Sequence, residues 1–534
     1  MAARPSVFVP LLSAVLASLS FQATSAQVIT LTDRQLAAGS PHIVVAVVEG
    51  SGSRWNAERT FIVTDYALRI EERLKGEAPQ RLELTVPGGT VGDETHATSI
   101  STPLAAGARY LLFLERLDEP TLTPVLGAWQ GVFREPAGSR GKRYFAALIR
   151  TARELIAEVA EHPQPADTAW LQRTEDPGLP AKTYDSGAVT WPPAPPEAAG
   201  NPAAAKFVVR NPALAPIVFS TLLPETPFAG EDQRLLAYWN RYAGDVFRVS
   251  PEPSSSWAFG NGVFDIAGFP TTEQLQQQLH LSWGSAAFAL VATRTQDGHI
   301  IEADLAFNPA VEWTLDDDEA TRLGGPLSFK NTLLANLGKA WGYKGPVEII
   351  NPDGSIDDTP ISRDSVMNLK AQPYQLATLF AEDAAAARAT YGGRPIHDGA
   401  VSSYTIDAAP FAPFYQPVRP TPASVAAGSN VVLVGPIKIE NVGTAAIVNP
   451  RVDVFLAPTR FSLDRAIALR KVRIRGTIRS GEVRLLDLGR VPVPRSVPAG
   501  TYSFAFVLVD SGDEVPANNR AWSNADAQIS VHPR

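Results

Sequence analysis

Ala335-Asn336-Leu337-Gly338-Lys339-Ala340-Trp341-Gly342-Tyr343-Lys344-Gly345 lies just beyond Leu333 and Leu334, in a block that mixes helical and strand patterns. Leu333, Leu334, Leu337 and Trp341 fall at helical spacing and predict one buried face of a helix that ends near Gly342. Upstream, Gly298-His299-Ile300-Ile301-Glu302-Ala303-Asp304-Leu305-Ala306-Phe307-Asn308 reads as a hairpin strand. Leu235, Leu236, Trp239 and Tyr242 mark an earlier helix from Glu231 to Val246. Asp316-Asp317-Asp318-Glu319 stands just ahead of the quoted helix, as an acidic flank favoured by its dipole. Ser365-Val366-Met367 and a closing helix to Tyr391-Gly392 follow, so residues 205–393 are expected to form a central α+β block.

Around this block the 534-residue chain divides by composition. With 45% hydrophobic and 19% charged residues, 45 Pro and no Cys, it is neither collagen-like, disulfide-framed nor wholly disordered. At roughly 100–200 residues per domain it is multidomain. Absence of Cys removes thiolate catalysis, iron–sulfur clusters and cysteine-ligated zinc, and a formal charge of -8 argues against nucleic acid as a partner. Residues 1–26 read as a signal peptide, with Arg4, an apolar run from Val7 to Phe21, and Thr24-Ser25-Ala26 as the cleavage site. A single N-terminal membrane anchor is the alternative, for which the run is short and interrupted by Pro10. Losing Arg4 moves the charge from -8 to -9. No later stretch reaches about 18 uninterrupted apolar residues, so no membrane span is expected after signal removal, and the protein is expected to be secreted or periplasmic. Two proline-rich stretches, 161–204 and 394–422, predict extended linkers; the second carries Pro410, Pro413, Pro417 and Pro420.

The first block, residues 27–160, is mostly strand. A short helical signal at Thr32-Asp33-Arg34-Gln35-Leu36 precedes the continuous run Ile43 to Val48, which predicts a strand buried on both faces. Further runs at Phe61 to Leu74, Leu82 to Val86, Tyr110 to Leu114 and Ala128 to Phe133 suggest a small barrel, closed by a helix from about Ala146 to Glu161. The last block, 423–534, alternates with period two: Val472 and Ile474 sit between Lys471, Arg473 and Arg475, and Phe504, Phe506 and Leu508 share a face. That pattern predicts an antiparallel β-sandwich. Asp510, Asp513, Glu514, Asn518 and Asn519 read as a polar turn, with a calcium loop as the alternative.

Three resemblances follow from these motifs. Leu74-Lys75-Gly76, Val86-Pro87-Gly88-Gly89, Tyr110-Leu111-Leu112-Phe113-Leu114 and Gln130-Gly131-Val132-Phe133 resemble an OB-like β-domain found ahead of secreted bacterial metalloprotease domains. Glu440-Asn441-Val442-Gly443-Thr444, Val497-Pro498-Ala499-Gly500-Thr501-Tyr502 and Asp510 to Asn519 resemble the CARDB family, immunoglobulin-like domains of bacterial adhesion and surface proteins. The central block looks like a matrixin-type metzincin, a zinc endopeptidase domain. The order of the Trp239 helix, the Glu302-Ala303-Asp304 strand with Asn308, the helix with Gly338 and Gly342, and Met367 at the Met-turn carries that resemblance. Met367 is the only methionine besides the initiator.

The zinc motif itself is lost. The family's H-E-x-x-H-x-x-G-x-x-H supplies two ligands and a general base on one helix and a third ligand beyond a glycine. In that frame Ala335, Lys339 and Gly345 stand at the ligand positions and Asn336 at the base. Ala335 and Gly345 present no donor atom, a protonated lysine has no lone pair, and an amide does not take a proton from water. Without a metal, water keeps a pKa near 15.7 rather than about 7, a difference of roughly 12 kcal/mol. No zinc is therefore expected, and Lys339 is expected to put a fixed positive charge in the metal position, paired with a carboxylate such as Asp364. A relocated zinc site would have to draw on His280, His299 and His397, and no G-x-S-x-G supports a serine hydrolase. Asn351, Asp353, Ser355 and Asp357 alternate as in a calcium loop, but Ile356 and Ser362 replace its glycine and glutamate, so a solvated turn competes with calcium there. The functional expectation is an exported pseudoprotease that binds an unknown protein or peptide. A surface or adhesion protein with the middle block as spacer is one alternative, and an active zinc metalloendopeptidase with atypical ligands is another.

Overall fold

The computed structural model describes residues 31–163, 217–343, 365–366 and 378–534, with a few short breaks inside those spans. The signal segment and nearly all of the first proline-rich stretch lie outside the described residues. The first region contains α1 (Asp33–Gly39), β1 (His42–Trp55), β2 (Ile62–Lys75), β3 (Arg81–Pro87), β4 (Gly89–Val91), β5 (Glu94–Thr98), β6 (Arg109–Leu114), β7 (Val132–Arg134) and α2 (Gly138–Glu161). Five of these strands form a sheet in the order β3-β2-β1-β6-β7. The run in β1 is continuously apolar because its two faces enter different cores. Ile43 and Val45 pack with Leu36, Phe145 and Leu148, while Val44, Ala46 and Val48 pack with Leu68, Leu84 and Leu112. Ala128, which the sequence predicts to open a strand, does not. Gly127 and Ala128 both take positive φ (65° and 53°), the chain makes a 3-10 turn, and pairing starts only at Val132.

β4 and β5 are too polar to be read as strands, yet they join the first region to the middle one. The middle region holds β8 (Ile217–Thr221), α3 (Glu231–Ala243), β9 (Phe247–Val249), β10 (Phe264–Ile266), α4 (Thr272–Leu279), β11 (Ala289–Gln296), β12 (His299–Phe307), β13 (Trp313–Thr314), α5 (Asp317–Ala320), β14 (Leu327–Ser328), α6 (Phe329–Ala340) and α7 (Ala381–Tyr391). One sheet runs β12-β11-β5-β4, with Ala292 opposite Thr98, Arg294 opposite His96 and Gln296 opposite Glu94. His96 is buried at this seam among Trp55, Phe61 and Phe259, whose rings lie 5.0–5.1 Å away. Its Nδ1 accepts the Ile62 N–H (3.0 Å), which leaves Nε2–H to donate to Glu94 (2.9 Å). Burial lowers its pKa, so the ring is neutral.

Residues 394–422 are not the linker that their prolines suggest. They carry β15 (Gly399–Ser402), β16 (Tyr404–Ala409), β17 (Ala412–Pro417) and β18 (Arg419–Thr421). β15 pairs with Ile437–Asn441, β16 with β17 as a hairpin, and β18 with Asn430–Val434. Pro420 is tolerated because β18 is the edge of its three-stranded sheet. Beyond it the chain is β-rich throughout, and Val431, Ile439, Val454, Phe504, Phe506 and Leu508 share one core as period-two alternation requires. The described residues thus form a β-rich, multi-sheet protein with few helices.

Because β5 completes the sheet that carries β11 and β12, the middle region does not own all of its strands. Residues 205–393 produced alone are expected to lose their near-ultraviolet circular dichroism and to melt without a cooperative transition. A sharp transition and a native-like spectrum from that fragment would show that the seam is dispensable.

Candidate functional site

Ser328 opens α6, its Oγ accepting the Asn331 N–H at 3.1 Å, and Trp341 ends it, followed by Gly342 at φ 96°. Between them every residue except Lys330 is buried, so no face of α6 opens to a cleft among the described residues. Trp239 of α3 donates its indole N–H to the Leu334 carbonyl (3.0 Å) and meets Trp341 edge-on at 5.4 Å, while Trp341 stacks on Tyr343 at 5.3 Å. The acidic run does not flank α6. Asp316 caps the four-residue α5, accepting the Asp318 and Glu319 N–H groups, and only Asp317 reaches α6, through an ion pair with Lys330 (2.6 Å).

The four motif-equivalent positions fare differently. Ala335 and Asn336 are fully buried, Lys339 is 5% exposed, and Gly345 lies outside the described residues. Among the described residues, neither the oxygen nor the nitrogen of the Asn336 amide has a hydrogen-bond partner, and neither does Lys339 Nζ. Burial pushes the Lys339 ammonium down to about 7. The fixed positive charge expected from the sequence is therefore replaced by an amine that titrates near neutrality, and Asp364 lies outside the described residues. A neutral amine does have a lone pair, but one amine beside an alanine and an amide is no tetrahedral zinc donor set. Among the described residues, no three His, Cys, Asp or Glu side chains are placed to hold a metal ion.

Met367 and the calcium candidates Asn351, Asp353, Ser355 and Asp357 also lie outside the described residues. The two residues before Met367 are fixed by Asp383 of α7. Its carboxylate accepts from the Ser365 hydroxyl, from the Val366 N–H (2.9 Å) and from the Phe380 N–H (3.0 Å). Burial drives the Asp383 carboxyl up to about 7, opposed by these donors.

Glu302 and Asp304 of β12 act as internal braces. Glu302 Oε1 accepts the Gly260 and Asn261 N–H groups, both at 2.8 Å, and Asp304 Oδ1 accepts the Asp265 N–H at 3.1 Å. Burial first, then the neighbouring Glu302 charge, raises the Asp304 pKa well above the ordinary carboxylate range. Asn308 closes the following turn, donating to the Ala287 carbonyl (2.8 Å) and accepting the Ala310 N–H (2.9 Å). Carboxylates of the Asp510–Asn519 turn are likewise taken up by protein donors. Asp513 accepts the Gly399 N–H (2.8 Å), and Glu514 accepts the His397 N–H (3.0 Å) and Arg394 (2.9 Å). Asn518 donates to Asp398 (2.9 Å), which also accepts from Tyr242 of α3 (2.5 Å). Tyr242 was legible only as a helix-face residue; nothing in the sequence pairs it with Asp398.

No family model matches the chain, and none of the curated proteins does. Among solved structures it is similar to a CARDB domain from Pyrococcus furiosus, in complex with di-metal ions, at 13% identity over 26% of this chain and 90% of that one, with a TM-score of 0.16. It is similar to the sporulation control protein Spo0M from Bacillus subtilis at 12% identity over 26% of this chain and 51% of that one, with a TM-score of 0.16. For the C-terminal domain of wzt the identity is 14% over 26% of this chain and 78% of that one, again with a TM-score of 0.16.

Lys339 gives the site a measurable signature. Its pKa is about 7 in the folded chain and 10.5 in the unfolded one, so between those values the unfolded state holds the extra proton. Stability then rises with pH by about 1.36 kcal/mol per unit from this group, and below pH 7 the full cost of burying the charge is present. Lys339→Met is expected to stabilise the chain by about 1–3 kcal/mol at pH 6–7 and to flatten this slope. Urea unfolding from pH 6 to 10 measures both effects.

Proposed function

We propose that the chain is an exported pseudoprotease: a matrixin-type scaffold that acts by binding a protein or peptide, between an OB-like β-domain and a CARDB-like β-sandwich. The observation that carries this reading is the state of α6. At three of the positions where the family would hold zinc and its base, the chain has an alanine without a donor atom and, among the described residues, an amide and an amine without partners, all buried. Lacking a Lewis acid and a carboxylate base, a water molecule there has nothing to lower its pKa or take its proton. Binding needs neither. An extended peptide can be held through backbone hydrogen bonds at a sheet edge, or through side-chain pockets between packed units.

Export fits the apolar N-terminal segment and the lack of cysteine, and among the described residues no helix is long and apolar enough to cross a membrane. Purified protein is expected to carry no stoichiometric zinc and to leave casein uncut with or without added zinc. Zinc at one equivalent, with casein cleavage that disappears on chelation, would replace this reading with that of an active endopeptidase.

A further inference from the structure

A second site lies away from the motif-equivalent residues, where α3 faces the C-terminal β region. Arg234, Ala237, Tyr238 and Arg241 recur at i, i+3, i+4 and i+7 and form one stripe along α3. Opposite stand Arg460, Phe461, Arg520 and Trp522, and the two sides enclose a cavity of about 510 Å³. That volume falls in the range of sites that hold a small ligand or a few residues of a chain. Its floor carries the hydroxyl residues Thr378, Ser402 and Ser403.

The wall is built rather than incidental. Arg460 is buried, donating to Asp318 (2.8 Å) and Thr321 (2.9 Å) and lying 4.8 Å over the Phe461 ring, which in turn packs against Trp522 at 5.8 Å. Tyr238 is fixed by its hydroxyl, hydrogen-bonded to Thr378 at 2.9 Å and accepting the Leu379 N–H at 3.1 Å. Five cations line the cavity against one carboxylate, Asp317, in a chain whose net charge is -8. Three of the five are already matched: Lys330 by Asp317 (2.6 Å), Arg460 by Asp318 and Arg234 by Glu231 (2.5 Å). Among the described residues Arg241 donates only to the Glu514 carbonyl (3.1 Å), and Arg520 has no ion pair. Both are exposed, so two guanidinium groups at the cavity stand ready for an incoming anion.

We propose that this cavity binds an acidic peptide segment, with carboxylates on Arg241 and Arg520 and an aromatic or aliphatic side chain against Tyr238, Phe461 and Trp522. The α3 stripe runs for roughly 10 Å, longer than a lone carboxylate and matched by an extended chain. Arginine beside tyrosine and tryptophan is also the composition of strong peptide-binding surfaces. This site does not depend on how α6 is read, and failure here leaves the pseudoprotease reading standing.

Fluorescence anisotropy of a fluorescein-labelled Glu-Tyr-Glu-Tyr peptide with the full chain tests the proposal. Binding is expected to weaken about tenfold or more in the Arg241→Ala/Arg520→Ala double variant and for the Gln-Tyr-Gln-Tyr peptide, and to weaken as salt rises. Ala237→Trp, at an exposed helix position, is expected to block the cavity without changing the thermal melt. The proposal is overturned by no binding to the native chain, by equal binding of the glutamine peptide, or by variants that melt normally and bind as before. Displacement of the peptide by free phosphate at equal concentration would assign the cavity to small anions instead, and so overturn it too.

Discussion

Helix α6 is enclosed on every side, and the chemistry of the middle region follows from that enclosure. A helix with solvent on one face can carry ionisable groups there at little cost, whereas one buried all round must keep its side chains apolar or provide each polar group with a partner. Ala335 satisfies the first condition. Asn336 and Lys339 satisfy neither, and they are the positions where the resemblance places a base and a ligand. Each uncompensated polar group costs about 1–3 kcal/mol. The helix tolerates this because Trp239, Trp341 and Tyr343 lock its C-terminal half by a hydrogen bond and by ring packing.

Enclosure of α6 depends in turn on the neighbouring regions. One apolar core contains Leu36 and Phe145 from the first region, Trp239, Leu333 and Leu337 from the middle, and Val515 from the C-terminal region. Polar contacts reinforce the same joints. Glu440 accepts the Ala381 N–H (3.1 Å) at the start of α7, and Arg388 donates to the Val442 carbonyl (3.0 Å). A cavity walled by both units, such as the one between α3 and Trp522, is a product of this docking and would not exist on either unit alone.

Strands and helices with strong apolar periodicity were legible in the sequence. Ile43 to Val48, Leu333 to Trp341 and Phe504 to Leu508 all lie where their patterns put them. What escaped was structure whose cause is not local. Glu94-Thr95-His96-Ala97-Thr98 has no apolar alternation, and it is a strand because β11 supplies the ladder and an aromatic cage receives His96. The prolines of 394–422 argued for a linker, but an edge strand leaves proline's missing N–H without consequence. At the site, loss of donor atoms could be read directly from Ala335 and Asn336. The altered charge of Lys339 could not, because it arises from burial by residues far away in the chain.

The buried ionisable groups also pull stability in opposite directions with pH. Asp383 and Asp398 are both raised to about 7 by burial, from 3.8. Between those values the native state holds the extra proton, so their contribution is complete below 3.8, falls as pH rises from there, and is gone once pH passes about 7. Lys339 does the reverse, its cost being full below pH 7 and relieved above it. The three groups together therefore give least stability near neutrality, where the acids have begun to ionise and the amine is still partly charged. They place the molecule's least comfortable charges at α6, at the turn before Met367, and at the joint with the C-terminal region.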